Sequence, residues 1–317
     1  MRCAVVSLFV AASCGRSSGV PDKDLNGLVE GGSAKPRAID VDRAAKDVDE
    51  LSAALAQPAR VVNAALGPHT TTISMATHVV DGAQKPVTDL DDKTAIEIGD
   101  KGTFHAVYTN SADYGREVTF VDGKLYLRPR YQRWHERGPE TPDEPLQIVD
   151  SFYDPIEATW DLVAPGAELA DRGAATVAGR PGRKIEIKPA PSPRKNPPEP
   201  LTQRKWREGR SIDGLTGEVV LDAQKGVPLS VRLSGTIGFT REGKKYSMQV
   251  SVQSDVTMGP AQVAMASTEE IVTTPERLRE VDDRDFLLNG IAPPLRKNTD
   301  GTAVAPQPKA AGSGSKK

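Results

Sequence analysis

Between residues 40 and 57, Val41, Ala44, Ala45, Val48, Leu51, Ala54 and Leu55 recur at three- and four-residue steps. On a helix these positions share one face. Arg43, Lys46, Asp47 and Glu50 take the opposite face. The spacing therefore predicts an amphipathic helix laid on a sheet, with Asp40 capping its start and Pro58 ending it. From residue 70 the period drops to two. Thr71, Ile73, Met75, Thr77 and Val79 alternate with other residues, the mark of a strand with one buried face. Further strands are predicted at 95–98, 103–109, 118–121, 124–127, 183–188, 216–222, 227–235 and 245–256. Asp122-Gly123 joins two of them and supplies the positive φ that a type I′ turn needs. Gly226 and Gly243 fall in later turns. Val227, Leu229, Val231 and Leu233 alternate strictly with polar positions, and Pro228 stands at the strand's start, where a missing donor is tolerated.

A helical insertion interrupts the strands. Thr141-Pro142-Asp143-Glu144 reads as a capping box, and Leu146, Val149, Phe152, Tyr153, Ile156, Trp160 and Val163 follow at helical spacing. Pro155 is expected to break or kink this segment after Tyr153. Thr274-Pro275-Glu276 opens a second, short helix. Residues 189–210 hold six prolines and many charges and read as a long exposed loop. The order of elements predicts an α+β fold: a curved antiparallel sheet, an open half-barrel, with helices packed on its concave face.

Both cysteines, Cys3 and Cys14, lie in the first fourteen residues. One basic residue, a short apolar stretch and small residues before Cys14 fit a secretory signal. Val10-Ala11-Ala12-Ser13-Cys14 resembles the bacterial lipobox, which implies lipid attachment at Cys14 and a palmitate-type membrane anchor. An ordinary cleaved signal followed by a chance cysteine is the alternative. The expected organisation is a signal peptide over 1–13, a flexible tether over 14–38, one domain over 39–293 and a disordered Pro/Gly/Ser/Lys tail over 294–317. The expected location is the cell envelope, facing the periplasm. A body without cysteine excludes thiol catalysis, a structural disulfide and thiolate zinc sites.

Composition narrows the field further. Lys+Arg is 41 against Asp+Glu 43, a net charge of −2, so nothing draws the chain to nucleic acid or an anionic membrane surface. Aromatic residues are only 5%, so the core must be mostly aliphatic.

Several phrases resemble periplasmic lipid carriers of the LolA/LppX type. They are Val121-Asp122-Gly123-Lys124-Leu125-Tyr126, then Val177-Ala178-Gly179-Arg180-Pro181 ahead of the strand to Lys188. The third is Gly217-Glu218-Val219-Val220-Leu221-Asp222-Ala223, leading through Lys225-Gly226-Val227-Pro228-Leu229 into a long strand. The resemblance covers residues 40–290. It implies an unclosed half-barrel whose concavity, lidded by helices, accepts acyl chains. It carries no catalytic signature.

Candidate chemistry is sparse. His69, His78, His105 and His135 show no metal-site spacing, and His105 is expected to face solvent. No Gly-x-Ser-x-Gly elbow or phosphate loop occurs. Neither a metal nor a cofactor is implied, and the chain reads as a non-enzyme. Arg128, Arg130, Arg133 and Arg137 surround two aromatic residues and could hold an anionic group, or form a solvated loop rim. Phe152, Tyr153, Ile156 and Trp160 could line a ligand cavity, or form a filled core. Two functions follow. One is a non-catalytic envelope lipoprotein that binds or carries a lipid or other apolar ligand. The other is a structural or interaction lipoprotein with a filled core that contacts an envelope protein partner.

Overall fold

The computed structural model describes residues 38–198, 202–261, 263 and 270–273. Cys14, the leader, most of the tether, the helix expected at Thr274 and the tail lie outside the described residues.

The periodic stretch at 40–57 forms two helices, α1 (Val41–Ala44) and α2 (Val48–Leu55). Asp47 divides them: its carboxylate accepts from the backbone N–H groups of Asp49 (2.9 Å) and Glu50 (3.3 Å), which starts a new helix. Asp40 caps α1 by accepting from the Arg43 N–H at 3.0 Å. Beyond Pro58, where the reading places an end, a third helix, α3 (Ala59–Leu66), begins. Proline suits a helix entry as well as an exit, because the first N–H groups of a helix have no partner within it.

Among the described residues, twelve strands build one sheet: β1 (His69–Asp81), β2 (Pro86–Ile98), β3 (Phe104–Asn110), β4 (Gly115–Val121), β5 (Lys124–Pro129), β6 (Trp134–Arg137), β7 (Ala167–Val177), β8 (Arg180–Pro189), β9 (Ser211–Asp222), β10 (Pro228–Arg241), β11 (Lys244–Met258) and β12 (Ile271–Thr273). Their order is β12-β6-β5-β4-β3-β2-β1-β11-β10-β9-β8-β7. Every neighbour pair is antiparallel except β12 with β6, which is parallel. The two ends do not meet, so the sheet is an open, curved half-barrel and the fold is α+β. Asp122 (φ 51°) and Gly123 (φ 74°) make the expected tight turn, and Ala178 (φ 50°) with Gly179 (φ 77°) repeats it between β7 and β8. β7 was not legible beforehand. Its alanines, glycine and charges carry no period-two contrast, as suits an edge strand.

A longer helix, α4 (Glu144–Val163), lies across β10, β11, β1, β2 and β3. It runs as one helix through Pro155, against the predicted break. Proline removes the N–H that would reach the Ser151 carbonyl. Arg116 compensates from the sheet: its guanidinium lies 2.7 Å from the Ser151 hydroxyl and 3.5 Å from that carbonyl. It also sits 4.4 Å over the Phe152 ring. The capping box does not form as read. The helix starts at Glu144, and the carboxylate of Glu144 instead takes Arg137 (Nη1, 2.9 Å) and the Glu140 N–H (2.6 Å). Helices and sheet share one buried cluster that includes Leu51, Phe104, Ile156, Trp160, Ile185 and Val250.

Within the 189–210 segment, residues 191–195, 197 and 198 are exposed, as expected of a loop, while its C-terminal end is tied down. Thr202–Arg207 forms a 3₁₀ turn. Trp206 packs with its ring 4.7 Å from that of Phe239. Buried Arg210 donates to the carbonyls of Leu162 (2.9 Å) and Asp161 (3.0 Å), serving the last turn of α4, whose carbonyls have no helical donor.

Candidate functional site

Strand alternation sends one set of side chains to the helices and the other to the opposite face of the sheet. On that helix-free face, register aligns Lys93, Ser74, Gln253, Arg232 and Glu218 in one row across β2, β1, β11, β10 and β9. The next row is Asp91, Ala76, Ser251, Ser234 and Thr216. The second row is built of small side chains at its centre, whereas long side chains dominate the first. The difference in reach helps to form an open groove of about 880 Å³, lined from β3 to β8.

The sheet's N–H and C=O groups are engaged in its ladders, so the groove recognises through side chains. Its hydroxyls come from Ser74, Thr109, Ser111, Thr216, Ser234 and Ser251, with an amide from Gln253. Most of its charges are already matched. Arg232 pairs with Asp255 (2.9 Å), Glu218 with Lys184 (2.6 Å), Glu186 with Lys188 (3.0 Å) and Arg130 with Asp113 (3.0 Å). Next to Arg130, Tyr131 is 77% exposed, the most open of the large apolar residues described. Its hydroxyl donates to Asp113 at 2.8 Å, and the Arg130 guanidinium lies 4.9 Å from its ring. The ring is thus held in place while exposed.

On the same face, His105 stands between two carboxylates, with Nε2 2.8 Å from Glu117 and Nδ1 3.3 Å from Glu97. It is therefore largely covered rather than solvent-facing as expected. Burial works to lower its pKa, but the two carboxylates outweigh burial and the pKa is raised. Burial works to raise the Glu117 pKa, and the hydrogen bonds from His105 and Arg128 outweigh it and lower it. On the helix face, Asp92 accepts from the Tyr108 hydroxyl at 2.5 Å, and burial raises the Asp92 pKa despite that bond.

Of the predicted apolar wall, Phe152, Ile156 and Trp160 are all buried in the core, and Trp160 Nε1 donates to Ser52 Oγ at 2.7 Å. Tyr153 is partly buried, its hydroxyl 3.3 Å from His69 Nε2 and 3.5 Å from Thr71 Oγ1. Burial pushes its pKa up to about 12. Tyr153 borders a second hollow of about 220 Å³, with Gln57, Pro58, Gln147 and Asp150. Neither hollow is lined by Phe152, Ile156 or Trp160. The four arginines are not brought to one point. Arg137 is buried against Glu144. Arg128 pairs with Glu117 and lies 4.5 Å over the Trp134 ring. Arg130 lines the groove, and Arg133 is exposed. Among the described residues no group of three His, Cys, Asp or Glu side chains is placed to hold a metal, and no helix is long and apolar enough to cross a membrane.

No protein-family model matches the chain, and no curated protein does. Solved structures do. MucB is 16% identical over 67% of this chain, with a TM-score of 0.22, and the chain spans only 58% of MucB's length. MucB from Pseudomonas aeruginosa has also been solved with MucA. A putative outer membrane lipoprotein-sorting protein domain from Vibrio parahaemolyticus is 11% identical over 63% of this chain and 88% of its own, with a TM-score of 0.19. A LolA superfamily protein from Nitrosomonas europaea is 6% identical over 63% and 90%, also at 0.19. These include the group that the sequence phrases resemble.

Proposed function

We propose that this chain is a non-catalytic binding protein of the cell envelope, held at a membrane by lipid on Cys14, whose ligand sits on the helix-free face of the sheet. One contrast carries the reading. The helix-facing hollow is filled by α4, with Phe152 1%, Ile156 3% and Trp160 1% exposed, while the opposite face holds an open polar groove. A packed interior leaves no room for an acyl chain without displacing buried side chains, and truncating such residues typically costs ~3–5 kcal/mol. A polar groove with matched charges suits a polar ligand. The apolar-carrier reading is thus the weaker of the two that the sequence left open.

The test uses the Cys14→Ser variant. It should leave the membrane fraction and lose palmitate labelling, and mass spectrometry of its solvent extract should find no stoichiometric lipid. Retained labelling defeats the anchor at Cys14. One acyl lipid per chain in the extract defeats the filled-core reading and restores the carrier.

A further inference from the structure

We infer that the groove on the helix-free face is a saccharide-binding site, taking an extended, largely uncharged oligosaccharide with one sugar ring against Tyr131. The inference rests on the binding reading above and names its ligand class.

The argument begins with what the groove lacks. Its lining residues include no aromatic side chain, and hydroxyl, amide and charged side chains outnumber the apolar Met75, Ala76, Leu233 and Val252, so an acyl chain would cover polar groups along its length. It has no excess of positive charge. Arg130 and Arg232 are both paired, and the acids Asp91, Asp92, Glu186 and Glu218 line the same groove as Lys93. A polyanion such as a nucleic acid would meet as much repulsion as attraction. An added β-strand needs an open sheet edge, whereas this groove crosses strands whose main-chain groups are already paired.

What it offers fits a polyol. Hydroxyl side chains both donate and accept, and amides do the same with separate atoms. Ser74, Ser234, Ser251 and Thr216 place such groups strand by strand, with Gln253 between them. Sugar hydroxyls are likewise dual donors and acceptors, so partners can be matched without ion pairs. Tyr131 supplies what the floor does not. Its ring is exposed and held by Asp113 and by Arg130, which itself lines the groove. An aromatic face offers apolar surface to the C–H face of a pyranose while its polar tip stays satisfied. From β3 to β8 the groove crosses six strand spacings, about 29 Å at ~4.8 Å each. That length suits an oligomer and not a single sugar.

The experiment uses the full chain with maltotetraose, cellotetraose, chitotetraose and a galacturonate tetramer, read by saturation-transfer NMR and titration calorimetry. Two variants accompany it. Ser234→Trp fills the floor, and Tyr131→Ala removes the platform; both positions are exposed, and circular dichroism melting checks that each variant folds. At least one neutral tetramer should bind, with affinity falling at least tenfold in each variant. Failure of all three neutral tetramers to bind at millimolar concentration overturns the inference, as does binding that survives Ser234→Trp. Preference for the galacturonate tetramer overturns the uncharged class. A polar peptide library on the same chain separates the two readings. Peptides that bind and are lost in Ser234→Trp would refute the saccharide and keep the binding function, while stoichiometric lipid in the extract refutes the function itself.

Discussion

Pro155 and Arg116 show how one residue's defect is absorbed by another far along the chain. A proline inside a helix costs ~3 kcal/mol or more when its freed carbonyl finds no donor. Here Arg116 of β4 reaches Ser151, through its hydroxyl and its carbonyl, and covers Phe152. Replacing Arg116 with Met should destabilise the fold by ~1–3 kcal/mol, the cost of leaving a buried acceptor unmatched. With Ala at 155, the helix supplies its own N–H to that carbonyl, so the same replacement should cost less. Chemical denaturation of the two single variants and the double variant measures the difference. Equal losses in both backgrounds would show that Arg116 does not serve the proline.

The strands β2 to β5 are clamped on their helix-free side by a chain of charges, Glu97–His105–Glu117–Arg128. The raised pKa of His105 fixes the sign of its pH dependence. A histidine whose folded pKa exceeds its unfolded value, ~6.5, stabilises fully below that value and loses the contribution as pH rises through the folded pKa. His105→Gln should therefore be more destabilising at pH 5.5 than at pH 8.5. Glu117, with its lowered pKa, contributes in the opposite sense, but its loss falls in the acid range below this comparison. Thermal melts of both proteins at the two pH values give the answer. A penalty independent of pH, or one larger at pH 8.5, would rule the clamp out. At the same scale, Asp47 divides the one expected helix into two, and Pro58 opens a third beyond its expected end.

Across the whole molecule, one buried cluster joins Leu125 and Leu127 of β5 to Ile185 and Ile187 of β8, through α2 and α4. Two smaller clusters flank it, one around Val62, Leu66, Val227, Leu229 and Val256 and one of Tyr126 and Trp134, but the main cluster spans both halves of the sheet, so residues 39–273 should unfold as one cooperative unit. Calorimetry should give a single transition whose measured and van't Hoff enthalpies agree. Two resolved transitions, or a stable proteolytic fragment ending near residue 170, would mean two domains.

Much of this was legible in the residues. Alternation marks Ile73, Val231 and Leu233 as inward, and their neighbours as outward, because side-chain direction in a strand follows from local geometry alone. The Asp122-Gly123 turn, the presence of an apolar helix after Thr141 and the open α+β sheet follow from the same local rules, whereas the helix's unbroken passage through Pro155 depends on Arg116 from the sheet. The helix start was misread by a few residues, since Glu144 serves Arg137 in place of a cap. The groove could not be read in advance. Ser74, Ser234 and Ser251 look like ordinary solvent-facing positions, and only the pairing of β1, β10 and β11 sets them side by side. The apolar stripe Phe152-Ile156-Trp160 is equally legible as a stripe, but its use as core and not as cavity wall depends on what the sheet presses against it. Periodicity is a property of neighbours along the chain, whereas register and packing join residues from distant parts of it, and those contacts determine which polar face stays open and which apolar face is filled.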